Sequence, residues 1–207
     1  MSGWLDLLTD HRVIAVIRSD CPKVARQMAL AVARGGIRLI EITWNTRESH
    51  ALIPSLKQEL PDCCIGTGTI LDCPMAGRAI DCGASFLFMP HTDKDVIAFG
   101  RSRGVPVIPG AMTPTEIMGA WRAGAETVKV FPVHSLGGVA YLCSLTSVLP
   151  HIPLIPTGGV TLDNAGAFLQ AGAIGVGLAR DLFAQAGGDA NLWVQRTELL
   201  LQKIRLS

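Results

Sequence analysis

Lys129 lies inside the apolar run Thr127-Val128-Lys129-Val130-Phe131-Pro132, which otherwise reads as a buried strand. An unpaired ammonium is costly to bury, and the usual response is loss of its charge. A neutral amine is a nucleophile toward carbonyl carbon. The competing reading is an edge-strand lysine whose head group reaches solvent. Glu41 sits in a similar setting, within Leu39-Ile40-Glu41-Ile42-Thr43. If Ile40 and Ile42 face one way, Leu39, Glu41 and Thr43 face the other; by the same alternation Thr127, Lys129 and Phe131 oppose Val128 and Val130. Brought together, an amine and a carboxyl group form a nucleophile and its proton shuttle. The alternative is a buried ion pair worth little net stability.

Other polar residues fall at the ends of neighbouring apolar runs. Arg18 closes Ile14-Ala15-Val16-Ile17-Arg18, and Thr67 and Thr69, expected to point inward, come from Gly66-Thr67-Gly68-Thr69. Pro156-Thr157-Gly158-Gly159-Val160 runs into Thr161-Leu162-Asp163-Asn164 and a helix. Glycines before a helix start expose backbone N–H groups suited to a phosphate or carboxylate, although any tight turn also uses glycine. His91, His134 and Ser135 follow strand ends and are further rim candidates; Trp44 and Phe88 read as packing groups.

These residues must be held by a repeated β/α unit. Strands are expected at Val13–Arg18, Leu39–Trp44, Cys64–Ile70, Phe86–Pro90, Pro106–Met112, Thr127–Val133, Pro153–Val160 and Ile174–Leu178, with helices such as Lys23–Ala33 and Thr115–Ala123 between them. Short β-rich runs alternating with helical stretches imply a parallel sheet covered by helices. Thr113-Pro114-Thr115-Glu116 spells a capping box,. Gly35-Gly36, Gly83, Gly104, Gly124 and Gly172 stand where helices close before the next strand,. Eight units of roughly 26 residues make one α/β domain over residues 1–207, a single (β/α)8 TIM barrel,. The segment through Thr9 is a short N-terminal helix capping its underside. Leu192–Leu206 is the last helix, with Leu199, Leu200 and Ile204 on its buried face. In such a barrel the strands of Glu41 and Lys129, second and sixth, lie across from one another, and activity gathers at the C-terminal strand ends.

Composition removes several function classes. A net charge of +1 offers no basic field for nucleic acid,. Residues 130 to 162 lack Asp, Glu, Lys and Arg outright, but prolines, glycines and histidines interrupt them, so no membrane span is expected,. The start reads as a polar-studded helix and not a signal peptide. Six cysteines without a C-x-x-C pair point to free thiols in a reducing, cytoplasmic setting, and no metal-ligand spacing is present,.

Taken together, Ile14-Ala15-Val16-Ile17-Arg18, Ile40-Glu41-Ile42-Thr43, Ile65-Gly66-Thr67-Gly68-Thr69-Ile70, Ile108-Pro109-Gly110, Val128-Lys129-Val130-Phe131-Pro132 and Thr157-Gly158-Gly159-Val160 carry a resemblance. The chain resembles, nearly end to end, the class I aldolases that act on 2-keto-3-deoxy-6-phosphogluconate (KDPG), its 6-phosphogalactonate epimer and 4-hydroxy-2-oxoglutarate (KHG). That resemblance implies a Schiff base between Lys129 and the C2 carbonyl of a 2-oxo acid, with Glu41 moving the protons and no cofactor or metal. It implies that Thr69, with Gly68 and neighbouring N–H groups, holds the pyruvate carboxylate, that Phe131 and Pro90 line that pocket, and that Thr157, Gly158 and Gly159 reach the distal phosphate. It also implies a homotrimer.

Two positions depart from the pattern. Asn45 stands where some relatives carry a substrate-binding arginine, leaving Arg18, or Arg47 two residues further along, to supply a guanidinium. Ala179-Arg180 replaces the frequent Gly-Ser pair after the eighth strand; Arg180 then binds an anion bidentately or pairs with Asp181,. Two other functions fit the same residues: a sugar-phosphate isomerase or epimerase using Glu41 beside a charged Lys129, and a non-catalytic barrel that binds a sugar phosphate or 2-oxo acid.

Overall fold

The computed structural model of the chain describes residues 3–183 and 189–205. Its elements are α1 (Trp4–His11), β1 (Val13–Ile17), α2 (Pro22–Arg34), β2 (Leu39–Thr43), α3 (Ser49–Glu59), β3 (Cys64–Gly68), α4 (Cys73–Asp81), β4 (Leu87–Phe88), α5 (Lys94–Ser102), β5 (Val107–Ile108), β6 (Gly110–Ala111) and α6 (Pro114–Arg122). They continue with β7 (Val128–Val130), a 3-10 turn (Val133–Leu136), α7 (Val139–Val148), β8 (Leu154–Pro156), α8 (Ala165–Gln170), β9 (Val176–Leu178), α9 (Arg180–Phe183) and α10 (Ala190–Arg205). All strand pairs are parallel, in the orders β5-β4-β3-β2-β1-β9 and β6-β7-β8. A parallel Thr157–Gly177 bridge links the end of β8 to β9, and the Ile174 N–H donates to Leu154 O at 3.1 Å. The result is an α/β fold with a curled parallel sheet inside and helices outside.

The fifth expected strand, residues 106–112, is divided at Pro109. Proline has no N–H to give to a ladder. Val107 and Ile108 therefore pair with β4, and Gly110 and Ala111 turn to β7. The Pro109 carbonyl still serves the sheet, accepting the Lys129 N–H at 2.8 Å.

The concave face is filled at its lower end by Ile14, Leu39, Phe86, Phe88, Ile108 and Ile155. Trp4 and Leu8 of α1 pack into this cluster, and the Trp4 indole N–H donates to Thr127 Oγ1 at 3.0 Å. The expected underside plug is thus present, tied to β7 by a buried hydrogen bond. The larger apolar layer lies outside, between strands and helices, and includes Ala15, Ile40, Ile42, Val128, Val130 and Leu154.

Local signals act as expected in most places. The Thr113–Glu116 capping box starts α6, while Gly124 and Gly172 close their helices at φ +94° and +95°, a region costly for side chains with a Cβ,. The last helix differs in detail. Trp193, Thr197 and Leu200 form its buried stripe, whereas Leu199, one residue and about 100° away, is exposed,. Ile204 packs partly against the same core, and Leu206 lies outside the described residues.

Candidate active site

A cavity of about 670 Å³ opens at the C-terminal ends of the strands. It is lined by Val16, Arg18, Met28, Glu41, Thr43, Thr69, Pro90, Lys129, Phe131, Thr157, Gly158, Ala179, Arg180 and Phe183. β2 and β7 bring Glu41 and Lys129 to this one space, with the facing that alternation requires. Glu41 is 1% exposed and Lys129 6%, so both chains are fully housed by protein.

The lysine nitrogen lies 4.6 Å from the Phe131 ring centroid and 5.4 Å from that of Phe88. Burial pushes the ammonium below its ordinary value; Glu41 pulls it back up, and Arg18 adds to the lowering. Glu41 mirrors this. Burial pushes its carboxyl above the ordinary carboxylate range, against the opposing pull of Lys129 and Arg18. For both groups desolvation wins, which favours a neutral amine facing a protonated acid. Among the described residues no ion pair joins them within 4.0 Å, and Glu41 Oε2 is buried without a hydrogen-bond partner. A buried carboxyl oxygen left unpaired is expensive in a purely structural ion pair.

Space for that carboxyl comes from β3. Two of its inward positions are glycines: a Cβ at Gly66 would overlap the Phe86 ring, and a Cβ at Gly68 would overlap Glu41 Oε1. Gly68 therefore makes room for the acid and is not among the cavity-lining residues. Expecting Thr67 to point inward was wrong by one residue of parity. Thr67 faces the helix layer, level with Ile42, and its hydroxyl donates to Ile42 O at 2.5 Å. Thr69 still reaches the cavity because its backbone turns to φ +62°, beyond the strand end.

On the other side, Thr157 is 4% exposed and its Oγ1 has no hydrogen-bond partner. Gly158 lines the cavity at φ +82°; Gly159 is exposed, and its missing Cβ leaves room for His134. The His134 Nδ1–H donates to Gly158 O at 3.0 Å, which fixes the turn. Asp181 accepts the Leu162 N–H at 2.8 Å and pairs with Arg196 at 3.6 Å. Arg180 thus lines the cavity with its neighbouring carboxylate already engaged elsewhere, and it has no ion pair among the described residues.

Asn45 is exposed and is not among the lining residues, as is also true of Arg47 and His91. Val16, Met28, Thr43, Ala179 and Phe183 line the cavity without having been named as contacts. Thr43 was legible from its two-residue spacing to Glu41. Met28 and Phe183 come from helices, and no sequence period marks which helix residues reach past the strand ends. No group of three or more His, Cys, Asp or Glu suited to a metal ion exists among the described residues.

The family model described as "KDPG and KHG aldolase" matches residues 5–187. The chain belongs to that family. A 2-dehydro-3-deoxy-phosphogluconate aldolase of Treponema pallidum (strain Nichols) is 35% identical over 158 residues, spanning 76% of this chain and 75% of the relative. A 2-dehydro-3-deoxy-6-phosphogalactonate aldolase of Escherichia coli (strain K12) is 31% identical over 195 residues, 93% and 94% of the two chains. Among solved structures, the KDPG aldolase of Legionella pneumophila superposes with a TM-score of 0.85 at 26% identity, covering 97% of this chain and 98% of that one. That crystal captured pyruvate as a covalent carbinolamine intermediate.

Proposed function

We propose that this chain is a class I aldolase that reversibly cleaves a 2-keto-3-deoxy-6-phospho sugar acid of the KDPG type to pyruvate and glyceraldehyde 3-phosphate, and that it accepts 4-hydroxy-2-oxoglutarate at the same site. The observation that carries this reading is the buried Lys129 amine, its charged form disfavoured by desolvation, sharing one cavity with an equally buried acid. Family membership supports it.

The Lys129 amine adds to the C2 carbonyl, giving a carbinolamine. Glu41, whose carboxyl burial pushes above its ordinary range, gives a proton to the departing hydroxyl; water leaves and an iminium forms,. The Glu41 carboxylate then takes the proton of the C4 hydroxyl. The C3–C4 bond breaks, its electron pair flows toward the iminium nitrogen, and an aldehyde departs from an enamine. Glu41 returns the proton to C3, and water hydrolyses the iminium to release pyruvate. The iminium itself is the electron sink for this cycle.

Binding roles follow from placement. Arg18 and Thr69 hold the carboxylate of the 2-oxo acid, with Phe131 and Pro90 packing about its methyl end. Thr157, Gly158 and Arg180 receive the far end of the substrate. Arg180 stands where relatives often place a small hydroxyl residue, so a guanidinium takes over part of the anion binding there. The scaffold we infer is a closed eight-stranded barrel, in which Val107–Ala111 counts as one strand bent at Pro109. A homotrimer in the cytoplasm is the proposed working form; the six cysteines are all free, in keeping with a reducing compartment,.

Borohydride reduction in the presence of pyruvate, followed by peptide mass spectrometry, tests the mechanism. Adduct on Lys129 is the expected result. Adduct on any of the other four lysines (Lys23, Lys57, Lys94, Lys203), or none, would reject it. Turnover of a sugar phosphate without adduct would instead favour an isomerase acting through Glu41.

A further inference from the structure

We propose that Thr46, which does not line the cavity, is the positioning residue that aims Arg18 and sets the polarity of the Thr43 hydroxyl; the proposal rests on the aldolase reading above. Thr46 is 2% exposed, in the turn after β2. Its hydroxyl meets three groups: the Ser19 N–H at 3.4 Å, Ile17 O at 3.4 Å and Thr43 Oγ1 at 3.0 Å. Ile17 and Ser19 are the two chain neighbours of Arg18. One buried hydroxyl therefore grips the chain at the end of β1, on both sides of the residue that presents a guanidinium to the cavity.

Hydrogen-bond accounting gives the bonds a direction. An amide N–H only donates, so the Thr46 oxygen accepts from Ser19. A carbonyl only accepts, so the single Thr46 proton goes to Ile17 O. The 3.0 Å contact admits either threonine as donor; we take it to run from the Thr43 hydroxyl to Thr46, which leaves the Thr46 proton for Ile17 O,. Thr43 is 1% exposed and lines the cavity. With its proton committed to Thr46, it shows the cavity only lone pairs, an acceptor for a substrate hydroxyl beside the donors of Arg18.

Backbone bonds add to the grip. The Thr46 N–H donates to Thr43 O at 2.8 Å, and the Arg47 N–H donates to Ser19 O at 3.3 Å. Arg18 has no ion pair among the described residues, so its direction is inherited from this anchored stretch of chain. Displacing such a group by a fraction of an ångström weakens substrate binding without touching the Lys129 amine.

Thr46→Val keeps the side-chain shape and removes both the donor and the acceptor. The pyruvate concentration giving half-maximal borohydride trapping, and KM for cleavage, should each rise about 10-fold, as loss of one to two hydrogen bonds implies. Turnover at saturation should stay within about twofold, since uniform binding is what is lost. Thr46→Ser should restore both constants. In an Arg18→Met background, Thr46→Val should change trapping by less than about twofold, because residues acting through one another are not additive. A full 10-fold rise in that background, an unchanged half-saturating concentration in the single variant, or a fall in kcat at constant KM would each overturn the proposal. If Thr46→Val does not fold, Thr46→Cys replaces it under the same criteria. Absence of any adduct in the unaltered protein would defeat the aldolase reading itself, whereas a normal adduct with an indifferent Thr46→Val would defeat only the role of Thr46.

Discussion

Carboxyl–cation pairings on the surface of this molecule and in its cavity end in opposite states. On the surface, Arg26 and Glu59 form a two-pronged ion pair, with Arg26 Nε donating to Glu59 Oε1 at 3.0 Å, and Lys203 pairs with Asp163. There the hydrogen bond from Arg26 holds the Glu59 carboxyl below its ordinary range, as that from Lys203 does for Asp163, and the charges persist. In the cavity, burial drives the Glu41 carboxyl up and the Lys129 amine down. The difference is hydration, not residue choice. Water keeps the outer pairs ionic; its exclusion favours the uncharged forms of the inner pair, the states that the proposed acid and nucleophile require.

The largest test of this contrast is lysine deletion at each site. Lys129→Ala should lower kcat/KM by about 10⁴-fold or more and abolish the borohydride adduct, because the covalent route is gone. Lys203→Ala should leave turnover within about twofold, since an exposed pair contributes little to anything distant. Cleavage assays with a coupled pyruvate readout measure both. Equal losses would mean that burial is not what separates the two lysines.

Glutamates give the next largest separation. Glu41→Gln keeps the side-chain shape but cannot carry a proton, and turnover should drop by about 10³-fold. Pyruvate should still be trapped on Lys129, only more slowly, because addition to the carbonyl does not depend on the acid alone. Glu59→Gln should leave both rates unchanged. Full activity in Glu41→Gln would assign the proton transfers to another group.

The same contrast explains what could be read from the chain beforehand. Lys129 and Glu41 were legible because each breaks an apolar run of period two, a pattern in which a charge has no cheap place to go. Arg18, Thr157 and Gly158 followed as residues at strand ends. Thr67 misled because a threonine next to glycines looks like the chemically useful position. The glycines in fact face inward, where Phe86 and Glu41 need their space. Strand five looked continuous because proline's missing N–H is invisible to hydropathy. Met28 and Phe183 are set by how helices pack over the strand ends, and Thr46 by a hydrogen-bond pattern spanning two loops. Pairwise geometry of that kind is not written in any local period.

The smallest expected effect concerns stability, and its dependence on pH separates a buried neutral amine from any other lysine. Because burial lowers the Lys129 value in the folded state, the unfolded chain binds more protons between that lowered value and about 10.4,. Stability from this group is therefore present above about pH 10.4 and is lost as pH falls toward the folded value. Glu41 works in the opposite sense: its raised value favours the folded state below about pH 4.3, an advantage lost as pH rises through the folded value,. Near neutrality both groups weigh against folding, as functional groups often do. Lys129→Met, similar in length and content to be buried, should thus gain stability relative to the unaltered protein as pH falls from 10 to 7, by up to about 1.4 kcal/mol per pH unit. The gap should narrow steadily toward pH 10, where the unfolded lysine also begins to lose its proton. Urea unfolding of both proteins across that range measures it. A gap independent of pH would show that the amine keeps its proton in the folded state and would return Lys129 to the same class as Lys203.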